Sequence, residues 1–464
     1  MKKRFPLFVV LIFLFSQFIL AQTAATPAPT PAPPPTNKRP VIFIPGILGS
    51  RLINSLTKEN VWVKITRSKD DDLRLPISPN LAANRDKLIA TEVVDKIKVI
   101  KYFPQISVYQ TLFTFLETSG YKRGEWDNPH LDGALGDRDT YYLFAYDWRR
   151  DNVESAHQLI QLIEKLRAKL GKPDLKFDIL AHSMGGLVIR YAAMYGKADI
   201  PETPKPAWEG VKYFNKIFLF GTPNDGAMQA LDTLLDGYSV PIFGGRRHIG
   251  VLDKEVAFSS PAAFELLPHG EALHFYDEDL KPLKLDIYDP AVWKTYGWSA
   301  AFDKQYLGTL SKKDLLQVQR YFPAVLNRAK KFTAALEAKG SPPASLRFFT
   351  FGSDCKSTLD GAVIYKEKDS ADWTTLTKGD SFRNSKGDKV PDNKVKQIIY
   401  APGDGLVTKN SLLAEIFSLP GKLVATLLPG SSDPFITCET HGSLLNNKAV
   451  EDGFLKELLK DQLP

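Results

Sequence analysis

The chain has 464 residues, of which 44% are apolar and 24% charged, with a formal net charge of +7. That length accommodates one large domain with insertions as readily as two domains, and the composition is that of an ordinary soluble globular protein. The positive charge permits attraction to an anionic membrane surface. No basic stripe interleaved with aromatics and no nucleic-acid-binding motif accompanies it, which excludes nucleic acid as a partner.

The chain opens with Lys2-Lys3-Arg4, an almost wholly apolar stretch over 5–20, and small residues Ala21, Ala24 and Ala25. This pattern predicts an export signal over 1–21, cleaved after Ala21 or Ala24, and a secreted or periplasmic protein. A retained membrane anchor is the alternative, but the stretch falls short of the ~20 residues a span prefers, and Pro6 and Gln17 interrupt it. Loss of Lys2, Lys3 and Arg4 with the signal lowers the net charge to +4. Residues 22–37 are rich in Pro, Ala and Thr and predict an extended linker, so the folded domain is expected over 38–464.

Residues 41–44 (Val-Ile-Phe-Ile) read as a fully buried strand ended by Pro45-Gly46. A long irregular stretch over 50–138 follows, with a helix predicted over 108–118. The next strand is predicted over 140–145 and runs into Tyr146-Asp147-Trp148-Arg149. Asp151 reads as an N-cap with Glu154 as its capping-box partner, opening a helix to about Leu170 that Gly171 stops. Strands over 177–180 and 216–220 flank a helix over 187–194. From 227 to 345 the pattern breaks into short helical pieces rich in Gly, Pro and aromatics, predicting a cap inserted over the site. A helix over 324–338 returns the chain to strands at 346–351, 395–400 and 423–428. Alternating strands and helices imply a parallel sheet covered by helices.

The chemistry concentrates where the 177–180 strand meets the next helix, in Ala181-His182-Ser183-Met184-Gly185-Gly186. A serine on a tight strand-to-helix turn between small residues is a nucleophile elbow, here with Ala181 in place of the first glycine of G-x-S-x-G. Such a serine needs a base and a carboxylate, in chain order serine, acid, histidine. After Ser183 stand His248, His269, His274 and His441; the first three fall in the predicted cap, so His441 is the candidate base. Asp404, between Gly403 and Gly405 after a predicted strand, is the candidate acid, with Asp354 its rival and Asp360 and Asp372 less natural. The backbone N–H groups of Ile47, in Pro45-Gly46-Ile47-Leu48-Gly49-Ser50, and of Met184 are the candidate oxyanion hole.

The two cysteines, Cys355 and Cys438, have 82 residues between them. Export would allow a disulfide restraining the histidine loop; two buried free thiols are the alternative. They and the scattered histidines supply too few ligands for a metal site, and no metal or organic cofactor is implied.

Together these runs resemble the lecithin:cholesterol acyltransferase family of α/β-hydrolases. The 40–50 run is similar to that family's opening strand and oxyanion loop, and Tyr146-Asp147-Trp148-Arg149 to its Y-D-W-R element. Residues 181–186 are similar to its A/G-H-S-M-G-G elbow. Gly403-Asp404-Gly405-Leu406-Val407 resembles its G-D-G-T-V acid loop with Leu406 for threonine, and His441-Gly442 resembles its histidine motif. The resemblance implies an α/β-hydrolase fold with a membrane-binding-type insert (about 50–138) and a cap or lid (about 227–345). The family's lid disulfide has no counterpart, since 50–138 contains no cysteine. It implies Ser183, Asp404 and His441 as the triad and Ile47 and Met184 as oxyanion donors. The expected activity is hydrolysis or O-acyl transfer on lipid esters through an acyl-enzyme, with transient lipid-surface contact. Aromatics in the inserts, such as Trp62, Phe258, Phe264, Trp293 and Trp298, would supply that contact unless they form the cores of the inserts. The sequence leaves open whether water or an alcohol takes the acyl group, and the oligomeric state. The rival class is a catalytically inactive surface-binding protein that keeps the fold.

Overall fold

The computed structural model describes residues 38–64, 72–97, 106–129, 137–242, 247–417 and 434–460. The predicted signal, the linker and the strand predicted over 423–428 lie outside them.

A sheet of seven strands forms the centre: β1 (Val41–Ile44), β2 (Lys122–Arg123), β3 (Thr140–Leu143), β4 (Phe177–His182), β5 (Phe214–Phe220), β6 (Arg347–Ser353) and β7 (Phe435–Thr437). Their spatial order is β7-β6-β5-β4-β1-β3-β2, and every pairing is parallel. Parallel neighbours require crossovers, and helices supply them on both faces. Helices α2 (Asn152–Leu170) and α3 (Met184–Tyr195) cover one face; α1 (Gln110–Thr118) and the C-terminal α5 (Lys448–Leu459) cover the other, with α4 (Lys312–Leu336) in the cap packing against α3. Strand alternation feeds the two layers separately. Ile42 and Ile44 join the α2/α3 side, whereas Val41 and Phe43 join the α1/α5 side with Phe218, Phe349 and Phe454. This is the α/β-hydrolase fold.

Several elements differ from expectation, each for a local reason. Residues 395–400 are mostly helical: a helix spans Asp392–Ile399, burying Val395 and Ile399 one turn apart. The apolar residues there follow the i, i+4 spacing of a helix, and the strand, Tyr400–Gly403, begins only afterwards. That strand pairs antiparallel with Lys356–Leu359, outside the central sheet. Asp151 does cap α2, accepting from the Val153 N–H at 2.7 Å. Glu154 completes no capping box; Arg150 and Arg85 claim its carboxylate. The stretch over 50–138 is more regular than expected. Ser50–Asn54 pairs with Asn60–Trp62 and Leu88–Val93 in a small antiparallel sheet, and the same stretch supplies α1 and β2. Arg149, wholly buried, ties this insert to the core: it holds Asp147 and Asp86 and donates to the Leu73 carbonyl. α4 starts at Lys312, earlier than expected, and carries Pro323 within it.

The insert aromatics are interior. Trp62, Phe258, Phe264, Trp293 and Trp298 are all buried: contrary to the expected lipid contact, these rings form the cores of the inserts. Among the described residues, the large apolar side chains that remain exposed are Leu56, Ile89, Leu316 and Trp373. No helix of the described residues is long and apolar enough to cross a membrane.

Candidate active site

Ser183 stands between β4 and α3 with φ at 54°, a left-handed conformation that a non-glycine residue holds only when its surroundings compel it. Here the compulsion is visible. The Ser183 N–H donates to the Phe220 carbonyl of β5, while its own carbonyl accepts from Gly186 as α3 begins. A Cβ on Gly185 would come within 2.6 Å of the Pro45 carbonyl oxygen, so only glycine lets α3 approach the end of β1. A Cβ on Gly46 would come within 2.8 Å of Ser183 Cβ, which puts the loop after β1 directly against the serine.

That loop turns tightly, the Gly49 N–H donating to the Gly46 carbonyl at 3.0 Å and Leu48 taking a positive φ. Its carbonyls are held by aromatic donors from elsewhere in the chain. Tyr146 Oη donates to Pro45 O at 2.9 Å, Trp62 Nε1 to Leu48 O at 2.8 Å and Trp148 Nε1 to Ser50 O at 3.2 Å. The sequence singled out Tyr146 and Trp148 as a motif but not this task, which appears only when the end of β3 meets the end of β1. Ile47 sits in the turn, on the wall of the cavity that Ser183 also lines, and Met184 is the first, buried residue of α3.

His441 and Asp404 come together from separate loops. The His441 Nδ1–H donates to Asp404 Oδ2 at 2.7 Å, and the His441 backbone N–H donates to the Asp404 carbonyl at 2.9 Å. The other carboxylate oxygen of Asp404 accepts from the N–H groups of Leu406 and Val407 at 2.9 and 2.7 Å. Burial works against the Asp404 charge. The His441 ring and these N–H groups outweigh it and hold the carboxyl below its usual range. Gly221, at the end of β5 with φ at 58°, lies beneath the pair, where a Cβ would come within about 3.1–3.2 Å of His441 Nδ1 and Asp404 Oδ2. Asp354 does not join them; it pairs with Lys409 at 2.8 Å, both side chains well exposed. Asp360 and Asp372 also lie apart: Asp360 pairs with His274, and Asp372 donates its N–H to Ser370 Oγ. His269 pairs with Glu337 in the cap.

Cys355 and Cys438 form a disulfide, with a Cα–Cα distance of 5.2 Å and a sequence separation of 83. It links the turns that follow β6 and β7, and Glu439 N–H donates to Ser353 Oγ beside it. The segment leading to His441 is thereby tied to the sheet edge.

Ser183 and His441 line one cavity of about 210 Å3. Its walls are mostly apolar: Ala230, Tyr238, Leu252 and Leu266 from the cap, with Leu406 and Val407 from the acid loop. No described cluster of His, Cys, Asp and Glu is arranged to hold a metal ion.

A parallel sheet covered by helices on both faces, with Ser183 on the tight turn after its central strand, defines the α/β-hydrolase fold. The family model described as lecithin:cholesterol acyltransferase matches residues 51–317, more than half of the chain, and the protein belongs to that family. It is 22% identical over 422 residues to an uncharacterised protein of Saccharomyces cerevisiae, covering 82% of this chain and 57% of that one. It is 26% identical over 222 residues to the phosphatidylcholine-sterol acyltransferase of Papio anubis, covering 43% and 46%. The chain thus spans about half the length of these curated relatives. A chain in the crystal structure of the Tle4–Tli4 complex shares the fold, with a TM-score of 0.57 and 17% identity over 92% of this chain and 99% of that one. The family match includes Ser183 but ends before Asp404 and His441, so the pairing of those two rests on their geometry.

Proposed function

We propose that the protein is a serine-dependent lipid acyl-ester hydrolase or O-acyltransferase working through an acyl-enzyme. The observation that carries this reading is the 2.7 Å bond from His441 Nδ1–H to a buried Asp404, beside a cavity that His441 and Ser183 share. A histidine with Nδ1 committed to a carboxylate keeps Nε2 as its basic nitrogen. In the proposed reaction His441 Nε2 takes the Ser183 proton as Oγ attacks the acyl carbonyl. The Ile47 and Met184 N–H groups receive the oxyanion, and His441 returns the proton to the departing alcohol. Water then attacks the acyl-enzyme; an alcohol in its place makes the enzyme a transferase. Hydrolysis is the leading reading, with transfer to a sterol or other alcohol the alternative. The apolar walls favour the acyl chain over a polar headgroup as the group enclosed.

Ser183→Ala tests the reading. The variant should fold and lose ester turnover, and a fluorophosphonate should label the parent at Ser183. Retained turnover, or labelling at another residue, overturns it. A lipid panel run with and without added alcohol then assigns the acceptor by its products.

A further inference from the structure

His182, the residue before the serine, has no part in the reaction just described, yet it is buried at the centre of the site. Its Nε2 lies 3.1 Å from the His441 carbonyl oxygen, and its Nδ1 lies 3.0 Å from Tyr109 Oη. The same Tyr109 oxygen accepts the Gly46 N–H at 3.2 Å. These contacts have one proton assignment for a neutral ring. A carbonyl only accepts, so Nε2 carries the hydrogen. Nδ1 is then bare and must accept, so the Tyr109 hydroxyl gives it its proton and takes Gly46 on a lone pair.

We infer that His182 and Tyr109 are positioning residues that lock the oxyanion loop and the loop bearing His441 into one register. The inference rests on the Ser183–His441 reading above. Pro45 C=O and Gly46 N–H belong to a single peptide unit, whose two ends point opposite ways. Tyr146 holds the carbonyl end and Tyr109 the N–H end. With that plane clamped, the next peptide unit, which carries the Ile47 N–H, has little freedom to rotate. At the other end, His182 fixes the His441 backbone through its carbonyl while Asp404 fixes it through both the backbone N–H and Nδ1.

The charge state of His182 suits this task. Burial, together with the neighbouring His441, pushes its pKa down to about 3. The two imidazoles lie with ring centres 4.8 Å apart, and the other titrating groups beside them are Tyr109 and Asp404. A cation at His182 would oppose protonation of His441, which the proton transfer requires; a neutral ring donating from Nε2 positions the backbone without that cost.

Three variants test the inference, assayed on p-nitrophenyl butyrate after Ser183 labelling of the parent has established the nucleophile. Tyr109→Phe keeps the ring and removes only the hydroxyl. It should lower kcat about tenfold while KM stays within about twofold, since an oriented donor matters most in the transition state. His182→Gln should do the same, and should carry the test if Tyr109→Phe does not fold. Because one chain of bonds serves both loops, the double variant should be no more than about twofold worse than the weaker single variant. The rate of fluorophosphonate labelling should fall in step with kcat. A folded single variant with unchanged kcat, or a rise in KM alone, overturns the inference and leaves the Ser183 reading intact. Fully additive losses overturn the coupling. Failure to label Ser183 in the parent counts against the underlying reaction instead.

Discussion

The two walls that meet at Ser183 are held by different physics. The loop after β1 is fixed by neutral hydrogen bonds to buried aromatic side chains: Tyr146, Trp148 and Trp62 donate to its carbonyls, and Tyr109 accepts the Gly46 N–H. The acid–histidine wall is fixed by a hydrogen bond to a buried carboxylate, by the His441 N–H bond to the Asp404 carbonyl, and by the Cys355–Cys438 disulfide at the sheet edge. The difference follows from what each wall presents. The tight turn after β1 is anchored at its carbonyls and at the Gly46 N–H by neutral groups, which add no charge to that wall. A loop presenting an imidazole is oriented by a carboxylate that accepts its Nδ1–H.

The largest effect should come from the charged wall. Asp404→Asn should cost on the order of 10⁴ in kcat, the loss seen when the orienting carboxylate of a serine triad is removed. Asp354→Asn should stay near the parent, because it breaks only an exposed pair with Lys409. Kinetics on the two folded variants check this, and the opposite ranking would move the acid role to Asp354.

Next comes the crosslink. Replacing Cys355 and Cys438 by alanine should lower stability by about 2–4 kcal/mol, given the long loop it closes. Urea unfolding, with and without reductant, measures it. Mass spectrometry of a non-reduced digest should show the linked peptides; two freely alkylated thiols in protein from an oxidising compartment would refute the bond.

On the aromatic wall, Tyr146→Phe leaves the buried Pro45 carbonyl without this donor and should lower kcat about tenfold, through a loss of about 1–3 kcal/mol. Added reductant should leave the size of that defect unchanged, because the bonds that join this wall to the histidine loop, through Tyr109 and His182, contain no sulfur. A defect that doubles on reduction would show that the walls are mechanically coupled through the disulfide.

The smallest effect concerns the seam between cap and core. Glu265 in the cap is buried beside Asp151, the N-cap of α2, and accepts the Asn152 N–H at 2.8 Å. Burial, and then the Asp151 charge, push its pKa well above the ordinary carboxylate range. The folded protein therefore keeps a proton that the unfolded chain releases as pH rises through about 4.5, and stability declines from there toward the folded pKa. Glu265→Gln should match the parent at acid pH and exceed it near pH 8 by on the order of 1 kcal/mol. Thermal melts at both pH values check the sign, and equal curves at pH 8 would show Glu265 to be ionised in the fold.

The sequence was most informative where a rare local geometry restricts the residues that fit it. Ser183 was legible because an elbow needs small residues at fixed offsets, and Gly403-Asp404-Gly405 because a carboxylate aimed from a tight loop needs flanking glycines. It misled at 395–400, where a short apolar run fits strand and helix alike until its burial is known. It also misled for Trp62, Trp293 and Trp298, since an aromatic's identity says nothing about whether it faces solvent.

Periodicity and turn chemistry act over a few residues, so the sequence by itself determined the parallel sheet, the serine turn and the family likeness. Only the tertiary structure decided what holds the site. Tyr109 reaches Gly46 across 63 positions, and His182 reaches the His441 carbonyl across 259. Such contacts depend on which strand ends lie side by side. Nothing in the local pattern around Tyr109 distinguishes it from any other buried tyrosine, and its task exists only once β1, β4 and the histidine loop have converged.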